Sequence, residues 1–191
     1  MERGIDLDTL LEACRCYEKN LIAMGQSGSA RDVGQNIQKV EQSRMQAPIQ
    51  YRKTLRSLLE YEKARGVRTP HGAALRDPSA AMGLLWLRRA LSFQYRFNLS
   101  LIEEPHVPAI DAAMEAYRLE GEPFHSWPLQ QVFKLAFRAS IPDRSRVLAD
   151  QWGEFQGKLD DYQEAVVLQQ LKILIEIWEQ VRDKELPIRL D

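Results

Sequence analysis

Three polar side chains of different chemistry recur at helical spacing in the segment D-V-G-Q-N-I-Q-K. Asp32, Asn36 and Lys39 are separated by four and then three residues. At about 100° per residue, these side chains fall within roughly 60° of one another on a helix. The resulting stripe would hold a carboxylate, an amide and an ammonium group. That combination favours a ligand with several hydroxyl or amide groups.

The same segment also allows a purely structural interpretation. Val33, Ile37 and Val40 repeat the spacing one step around the helix and predict an apolar stripe beside the polar one. Ser29 and Asp32 match an S-x-x-D capping box, which would make Asp32 a helix-start residue. The residues alone leave two possible roles for Asp32: ligand binding and helix capping.

A second candidate, Trp86, lies in the most apolar segment of the chain. Apolar residues spread nearly all the way round the helix predicted there, so that helix should be buried on several faces. Arg89 follows Trp86 by three residues and shares its side, and a buried guanidinium needs a partner. Trp86 is then either a core residue, with Arg88 and Arg89 reaching outward, or a flat indole at the mouth of a pocket.

A third candidate, His125, lies between two prolines in P-F-H-S-W-P. It is flanked by Phe124 and Trp127, just before a helix predicted to start at Pro128. This setting could present the imidazole as a hydrogen-bonding group at a helix N-terminus. The alternative is a structural histidine, with Ser126 acting only as the cap of the following helix.

Length and composition limit the kinds of protein that this chain can be. A chain of 191 residues is predicted to form one domain, residues 1–191. Its 27 acidic and 26 basic residues nearly cancel, so no nucleic-acid partner is expected. Cys14 and Cys16 would point apart on a helix, which disfavours a disulfide and fits a reducing compartment. We expect no metal, cofactor or catalytic residues. With no signal-peptide pattern or bilayer-length apolar run, we expect a cytoplasmic protein. We also expect it to be a monomer.

Glycine, proline and polar caps divide the chain into seven or eight predicted helices, with no convincing strand. We predict that the first helix stops at Gly25, the third near Gly66, and that Asp77 and Pro78 cap and open the long helix through about Leu101. Apolar stripes mark three of the other helices: Ile49, Leu55, Leu58 and Leu59; Ile110, Ala113, Met114 and Tyr117; Ala165, Leu168, Leu171, Leu174, Ile175 and Trp178. In the helix that starts at Pro128, the residues predicted to face inward are Leu129, Val132, Phe133, Ala136 and Phe137.

Three of these motifs, in this order, resemble the glycolipid transfer protein family. D-V-G-Q-N-I-Q-K is similar to the family's Asp-x-x-x-Asn-x-x-Lys signature. L-L-W-L-R-R-A-L-S-F resembles its Trp-Leu-Lys-Arg-Gly-Leu helix, and F-H-S-W-P-L-Q-Q-V-F-K-L-A its His-x-Trp helix. The resemblance spans roughly Leu10 to Arg146. It implies an all-α, two-layer helical sandwich of about eight helices that binds one lipid.

The resemblance also implies roles for individual residues. The headgroup and amide of a glycosphingolipid would be bound by Asp32, Asn36, Lys39, Trp86 and His125. Leu129 and Phe133 would line the hydrocarbon-chain pocket, and Trp127 would lie near the surface that makes transient contact with membranes. A sister branch of the family carries ceramide 1-phosphate and has basic residues where this chain has Asn36 and Trp86. That difference favours a neutral sugar headgroup.

The leading hypothesis is therefore a non-enzymatic carrier that moves a glycosylceramide between membranes. A ceramide-1-phosphate-type carrier or a lipid sensor is the alternative within lipid binding. A hydrolase that uses Asp32 and His125 as an acid–base pair is a second alternative, weakened by the lack of a nucleophile motif. A helical protein-interaction module, with the polar triad simply on the surface, is a third.

Overall fold

The computed structural model describes residues 5–23, 25–67 and 75–151. This part of the chain is all-α, as predicted, and contains no β-strand; Asp6 and Thr54 form an isolated antiparallel bridge. Single 3-10 turns lie at Ile49–Tyr51 and Glu122–Phe124. The described helices are α1 Leu7–Ala23, α2 Ser27–Gln46, α3 Leu55–Ala64, α4 Ala80–Glu103, α5 Ala109–Glu120, α6 Trp127–Ser140 and α7 Arg144–Gln151.

The chain clusters into two compact units, Met1–Arg88 and Arg89–Asp191, and the boundary falls within α4. The prediction of one domain over residues 1–191 stays a prediction. The final long helix predicted from Ala165 to Trp178 lies outside the described residues.

The two cysteines are both free thiols, as predicted for their helix: Cys14 is buried and Cys16 is exposed. Burial raises the pKa of the Cys14 thiol to about 11, so it stays protonated at neutral pH.

In the first unit, α1 packs against α2. The predicted apolar stripe of α2 is confirmed, since Val33, Ile37 and Val40 are all buried. Two ion pairs, Arg15–Glu41 and Arg44–Asp8, join the polar sides of α1 and α2. The predicted helix stops are also confirmed, because Gly25 and Gly66 follow α1 and α3 with φ of 74° and 75°. Those left-handed conformations favour glycine over any residue with a Cβ.

The start of α4 differs from the sequence prediction. The helix begins at Ala80, so Asp77 and Pro78 precede it and do not cap it. Its first N–H groups are satisfied by Glu62 of α3, whose carboxylate accepts from Ala80 N at 2.6 Å and Ala81 N at 2.8 Å. The Ser79 hydroxyl accepts from Met82 N at 3.0 Å. The buried Glu62 carboxylate also accepts from the Ser43 hydroxyl of α2 at 2.6 Å, and therefore links three helices.

In the second unit, one hydrophobic cluster joins α5, α7 and the C-terminal half of α4. Its buried members are Phe97, Leu101, Ala109, Ala112, Ala113, Ala116, Val147, Leu148 and Ala149. Small alanines dominate the α5 side, which lets the helices approach closely. Helix α6 departs from its predicted orientation: Phe137 is buried, but Leu129, Val132 and Ala136 are exposed. The inward stripe predicted for α6 is therefore wrong at those three positions.

Candidate functional site

The polar triad lies well inside α2. The N-cap of this helix is Gln26, so Ser29 is already helical and Asp32 lies beyond the first turn. The capping-box interpretation of Ser29 and Asp32 is therefore wrong. Along the triad the environment changes: Asp32 is exposed, Asn36 is 3% exposed and Lys39 is half-buried.

The side-chain amide of Asn36 is only partly paired among the residues that the structure describes. Its Nδ2 donates to the backbone carbonyl of Asp32 at 2.9 Å, which turns Oδ1 the other way. Oδ1 is buried and has no hydrogen-bond partner within the described segments. A buried polar atom left unpaired costs about 1–3 kcal/mol, so such an atom calls for an explanation such as a ligand that supplies the donor.

Helix α4 passes α2 at very close range beside Asn36. A Cβ placed on Gly83 would lie 2.6 Å from the Asn36 carbonyl oxygen, 3.1 Å from Val40 Cγ2 and 3.2 Å from Lys39 Cβ. Glu62 hydrogen-bonds both Ser43 of α2 and the first residue of α4, whereas Gly83 lies beside Lys39 and Asn36, which come earlier in α2. Helix α4 therefore runs antiparallel to α2. Only a residue without a side chain allows this approach.

The position of Trp86 relative to the polar triad follows from its spacing after Gly83 in α4. Trp86 follows Gly83 by three residues, so it lies about 4.5 Å further along the axis on the same side of the helix. In the antiparallel arrangement this step leads from Asn36 towards Asp32. Trp86 is half-buried, so it is neither a fully buried core residue nor an exposed one. The structure thus places Asp32, Asn36 and Lys39 on α2, and it places Gly83, one turn before Trp86, against Asn36 and Lys39.

A further polar side chain, Asp77, pairs with Lys39 and was not predicted from the sequence to be part of the site. Asp77 lies just before α4, and its two carboxylate oxygens are 3.0 Å and 3.1 Å from Lys39 Nζ. The only sequence signal was an acidic residue ahead of Pro78, which we assigned to helix capping. Lys39 is therefore ion-paired within the described structure rather than a lone cation.

His125, predicted to be the fifth residue of the same site, belongs to the second unit. Its Nδ1 is 2.8 Å from the Tyr117 hydroxyl of α5. Its ring stacks on Phe133 of α6 with centroids 4.7 Å apart, and Phe133 stacks in turn on Tyr117 at 5.5 Å. Phe137 and Phe93 extend this aromatic group, with centroids 5.5 Å apart. The imidazole is thus held between a hydrogen bond and a ring face, and it is neither fully buried nor fully exposed.

The segment before α6 is fixed by polar contacts. Gln130 Nε2 donates to the backbone carbonyls of Glu122 at 2.9 Å and His125 at 3.0 Å. Lys134 forms an ion pair with Glu122. Ser126 occupies the N-cap position, but its side chain makes no capping hydrogen bond, so the purely capping role suggested for it is not observed.

Arg89 has an aromatic partner in this second unit. Its guanidinium carbon lies 3.4 Å from the centroid of the Phe124 ring, a cation–π contact. A buried guanidinium needs either a partner or an outward path to solvent, and Phe124 provides a partner for Arg89. Arg89 therefore helps to hold the segment that presents His125.

An exposed apolar face runs along α6. Trp127 is 71% exposed, and Val132 and Leu135 are also exposed. The hypothesis that Trp127 packs in the core is wrong. Phe133 faces the aromatic group around Tyr117, whereas Leu129 lies on the more exposed side of the helix. Of the two residues assigned to hydrocarbon chains, only Phe133 is part of this packed aromatic group.

No group of three or more His, Cys, Asp or Glu side chains among the described residues could hold a metal ion. None of the helices in that part of the chain combines the length and apolar character that crossing a bilayer requires.

Comparison with known proteins identifies the class. The sequence model of the family described as Glycolipid transfer protein (GLTP) matches residues 5–151. This chain belongs to the glycolipid transfer protein family, a family of lipid transfer proteins. Its members share the all-α fold predicted from the sequence. Lipid transfer is thereby favoured over the hydrolase and interaction-module hypotheses.

Individual relatives show how far the likeness extends. The chain is 25% identical over 186 residues to glycolipid transfer protein 3 of Arabidopsis thaliana, covering 92% of this chain and 76% of that one. It is 30% identical over 123 residues to the glycolipid transfer protein of Danio rerio, covering 61% of this chain and 55% of that one. A crystal structure of human ceramide-1-phosphate transfer protein with 12:0 ceramide 1-phosphate has a TM-score of 0.76 at 17% identity, covering 96% of this chain and 88% of that one. At that identity the likeness is one of fold.

Proposed function

We propose that this protein is a non-enzymatic carrier of glycosphingolipids between membranes. The observation that supports this best is the buried Oδ1 of Asn36, which lacks a donor within the described residues. A sugar hydroxyl supplies such a donor, in addition to the amide N–H that every ceramide carries. A phosphate group at neutral pH carries a charge of about −1.5 to −2 and offers mainly acceptor oxygens, so it is a poor partner for an amide oxygen.

The other side chains of the first unit fit the same headgroup. The Asp32 carboxylate accepts from sugar hydroxyls and from the ceramide amide N–H, while the Lys39 ammonium donates to hydroxyl oxygens. The half-buried indole of Trp86 offers a flat face for a sugar ring. Together these residues supply the mixture of acceptors, a donor and an apolar face that a neutral sugar requires.

The second unit supplies the remaining proposed contacts. His125 hydrogen-bonds the amide carbonyl of the ceramide, and Phe133 and Leu129 contact the hydrocarbon chains. The exposed Trp127 inserts among lipid headgroups during transient docking, since formal net charge is −1 and global attraction is weak. We place the protein in the cytoplasm as a monomer with peripheral membrane contact.

The experiment is a competition between headgroups. Phosphatidylcholine donor vesicles with equal amounts of labelled glucosylceramide and ceramide 1-phosphate are mixed with acceptor vesicles and the protein. We expect faster transfer of glucosylceramide. Faster transfer of ceramide 1-phosphate would assign the protein to the ceramide-1-phosphate type. Binding of either lipid without transfer would make it a sensor, and binding of neither would reject lipid carriage.

A pair of α2 variants connects this activity to the triad. Asp32→Val removes the acceptor and should lower glucosylceramide transfer tenfold or more, corresponding to about 1–3 kcal/mol for the unpaired groups left behind. Gln38→Val, at an exposed α2 position off the polar stripe, should leave transfer unchanged. Equal losses in both variants, in step with lower melting temperatures, would point to a structural role for Asp32.

A further inference from the structure

The ion pair between Lys39 and Asp77 joins a residue of the polar triad to the segment that leads into α4. Both carboxylate oxygens lie within reach of the ammonium group, at 3.0 Å and 3.1 Å. The Lys39 side chain is 23% exposed and that of Asp77 52% exposed, so the pair lies at the edge of the first unit rather than in its core. The pair is therefore accessible to a polar ligand.

Asp77 changes the charge that an incoming headgroup meets. Asp32 and Lys39 alone would balance, whereas Asp77 adds a further negative charge directly beside Lys39. A phosphate that displaced the Asp77 carboxylate from Lys39, or that accepted from the remaining Lys39 N–H, would lie directly beside that carboxylate. That arrangement is repulsive, and like charges near a binding group are a common means of rejecting a competing ligand.

An uncharged sugar meets no such conflict. An ammonium group has three N–H donors, and a carboxylate has about four acceptor positions. After Lys39 and Asp77 have paired, a donor remains on one and acceptors on the other. A hydroxyl group, which both donates and accepts, can bind beside this pair without breaking it.

We propose that Asp77 is a specificity-determining residue that holds Lys39 in an ion pair and rejects anionic headgroups in favour of neutral sugars. This inference rests on the proposed function, because it concerns the headgroup of the lipid that the carrier binds. It assigns the selectivity to a residue outside the D-x-x-x-N-x-x-K stripe.

The test is the substitution Asp77→Asn, which keeps the size of the side chain and one oxygen for Lys39 but removes the charge. The vesicle competition between glucosylceramide and ceramide 1-phosphate is repeated with this variant. We expect the rate ratio of ceramide 1-phosphate to glucosylceramide to rise about five- to tenfold, since one charge interaction of this kind is worth roughly 1 kcal/mol or more near a surface. The rise should shrink in high salt.

Asp111→Asn is the matched control. Asp111 is an exposed aspartate of α5, so this variant changes the net charge by the same amount at an unrelated position. It should leave the ratio at the wild-type value. An equal rise in both variants would attribute the effect to overall charge and overturn the inference. If Asp77→Asn melts at a lower temperature than wild type, Asp77→Ser carries the same test.

The two proposals fail in different ways. Wild-type protein that transfers no glucosylceramide rejects the carrier function itself. Wild-type protein that prefers glucosylceramide, together with an Asp77→Asn ratio within twofold of wild type, retains the carrier function and rejects the role of Asp77.

Discussion

The phenol hydroxyl of Tyr117 lies 2.8 Å from Nδ1 of His125. Burial raises the pKa of Tyr117 to about 12, and the negative charge of Glu122 adds to that rise, so the phenol stays protonated at neutral pH. When this hydroxyl donates to Nδ1, the proton of the neutral imidazole is on Nε2. His125 then has the tautomer needed to donate to a carbonyl oxygen, which is the role proposed for it.

Tyr117→Phe tests this relationship. The variant keeps the ring that stacks on Phe133 and removes only the hydroxyl. We expect glucosylceramide binding to weaken by about two- to tenfold, because a neutral hydrogen bond contributes about 0.5–1.5 kcal/mol. Nitrogen NMR of labelled protein should show the His125 proton mainly on Nε2 in wild type, and a mixture of tautomers in the variant. The same tautomer in both proteins would contradict the role of Tyr117.

Asn36→Leu separates ligand binding from stability. Leucine has a similar volume and removes the buried oxygen, for which the described part of the chain provides no donor. We expect the melting temperature of the lipid-free protein to stay the same or rise, while glucosylceramide transfer falls tenfold or more. Differential scanning fluorimetry with and without lipid measures both effects. A large drop in the melting temperature would show that the amide is needed for the fold.

Asn98→Leu is the comparison for that experiment. Asn98 is also buried, but its Oδ1 already accepts from Gln94 Nε2 at 2.8 Å. Its replacement should therefore lower the melting temperature, because Gln94 loses its partner. The two asparagine variants should thus shift stability in different directions.

Trp127→Ala addresses membrane docking. The indole is 71% exposed, so its removal should leave the melting temperature and the binding of a short-chain soluble glycolipid nearly unchanged. Vesicle association and vesicle-to-vesicle transfer should fall severalfold, because an interfacial indole buries its ring among headgroups. Ile49→Ala removes another highly exposed apolar side chain, on the first unit, and should leave vesicle association unaltered. Equal effects of the two variants would refute a specific role for Trp127.

Gly83→Ala tests the close approach of α4 to α2. The added Cβ would meet the Asn36 carbonyl oxygen at 2.6 Å, and a backbone atom cannot move aside as a side chain can. We expect a loss of about 1–3 kcal/mol in the free energy of unfolding, which in a chain of this length corresponds to about 2–4 °C per kcal/mol. Headgroup binding should weaken as well, because the helices that carry Asn36 and Trp86 are forced apart.

Gly28→Ala provides the matched control. This glycine also lies in a helix, α2, but its added Cβ would have no atom within 4 Å. Alanine favours a helix over glycine by roughly 0.5–1 kcal/mol, so this variant should be as stable as wild type or more stable. Similar destabilisation by both substitutions would argue against a specific contact at Gly83.

Much of the helical pattern could be predicted because it depends on local sequence. The apolar period of α2 correctly indicated Val33, Ile37 and Val40 as buried, and Gly25 and Gly66 correctly marked helix ends. The polar stripe beside that apolar one could be located for the same reason. These features depend on residues within one or two helical turns of each other.

The errors arose where residues distant in sequence decide the structure. Glu62, from another helix, satisfies the first N–H groups of α4, and no pattern near Asp77 could indicate that. The burial of Asn36 likewise depends on Gly83 of a later helix. In α6, periodicity identifies an apolar side at Val132 but cannot tell whether it packs within the protein or stays exposed.

The contacts of Glu62 and Gly83 have a consequence for protein engineering. Glu62 joins Ser43 to the first turn of α4, and Gly83 sets the separation of α4 from the backbone of α2 one turn later. The spacing between the two helices is thus set by residues that are not assigned to the headgroup. A designer could exchange Asp32, Lys39 and Trp86 for other side chains while Ser43, Glu62 and Gly83 keep the scaffold constant. The first unit therefore offers a frame for grafting recognition of headgroups that the natural chain does not bind.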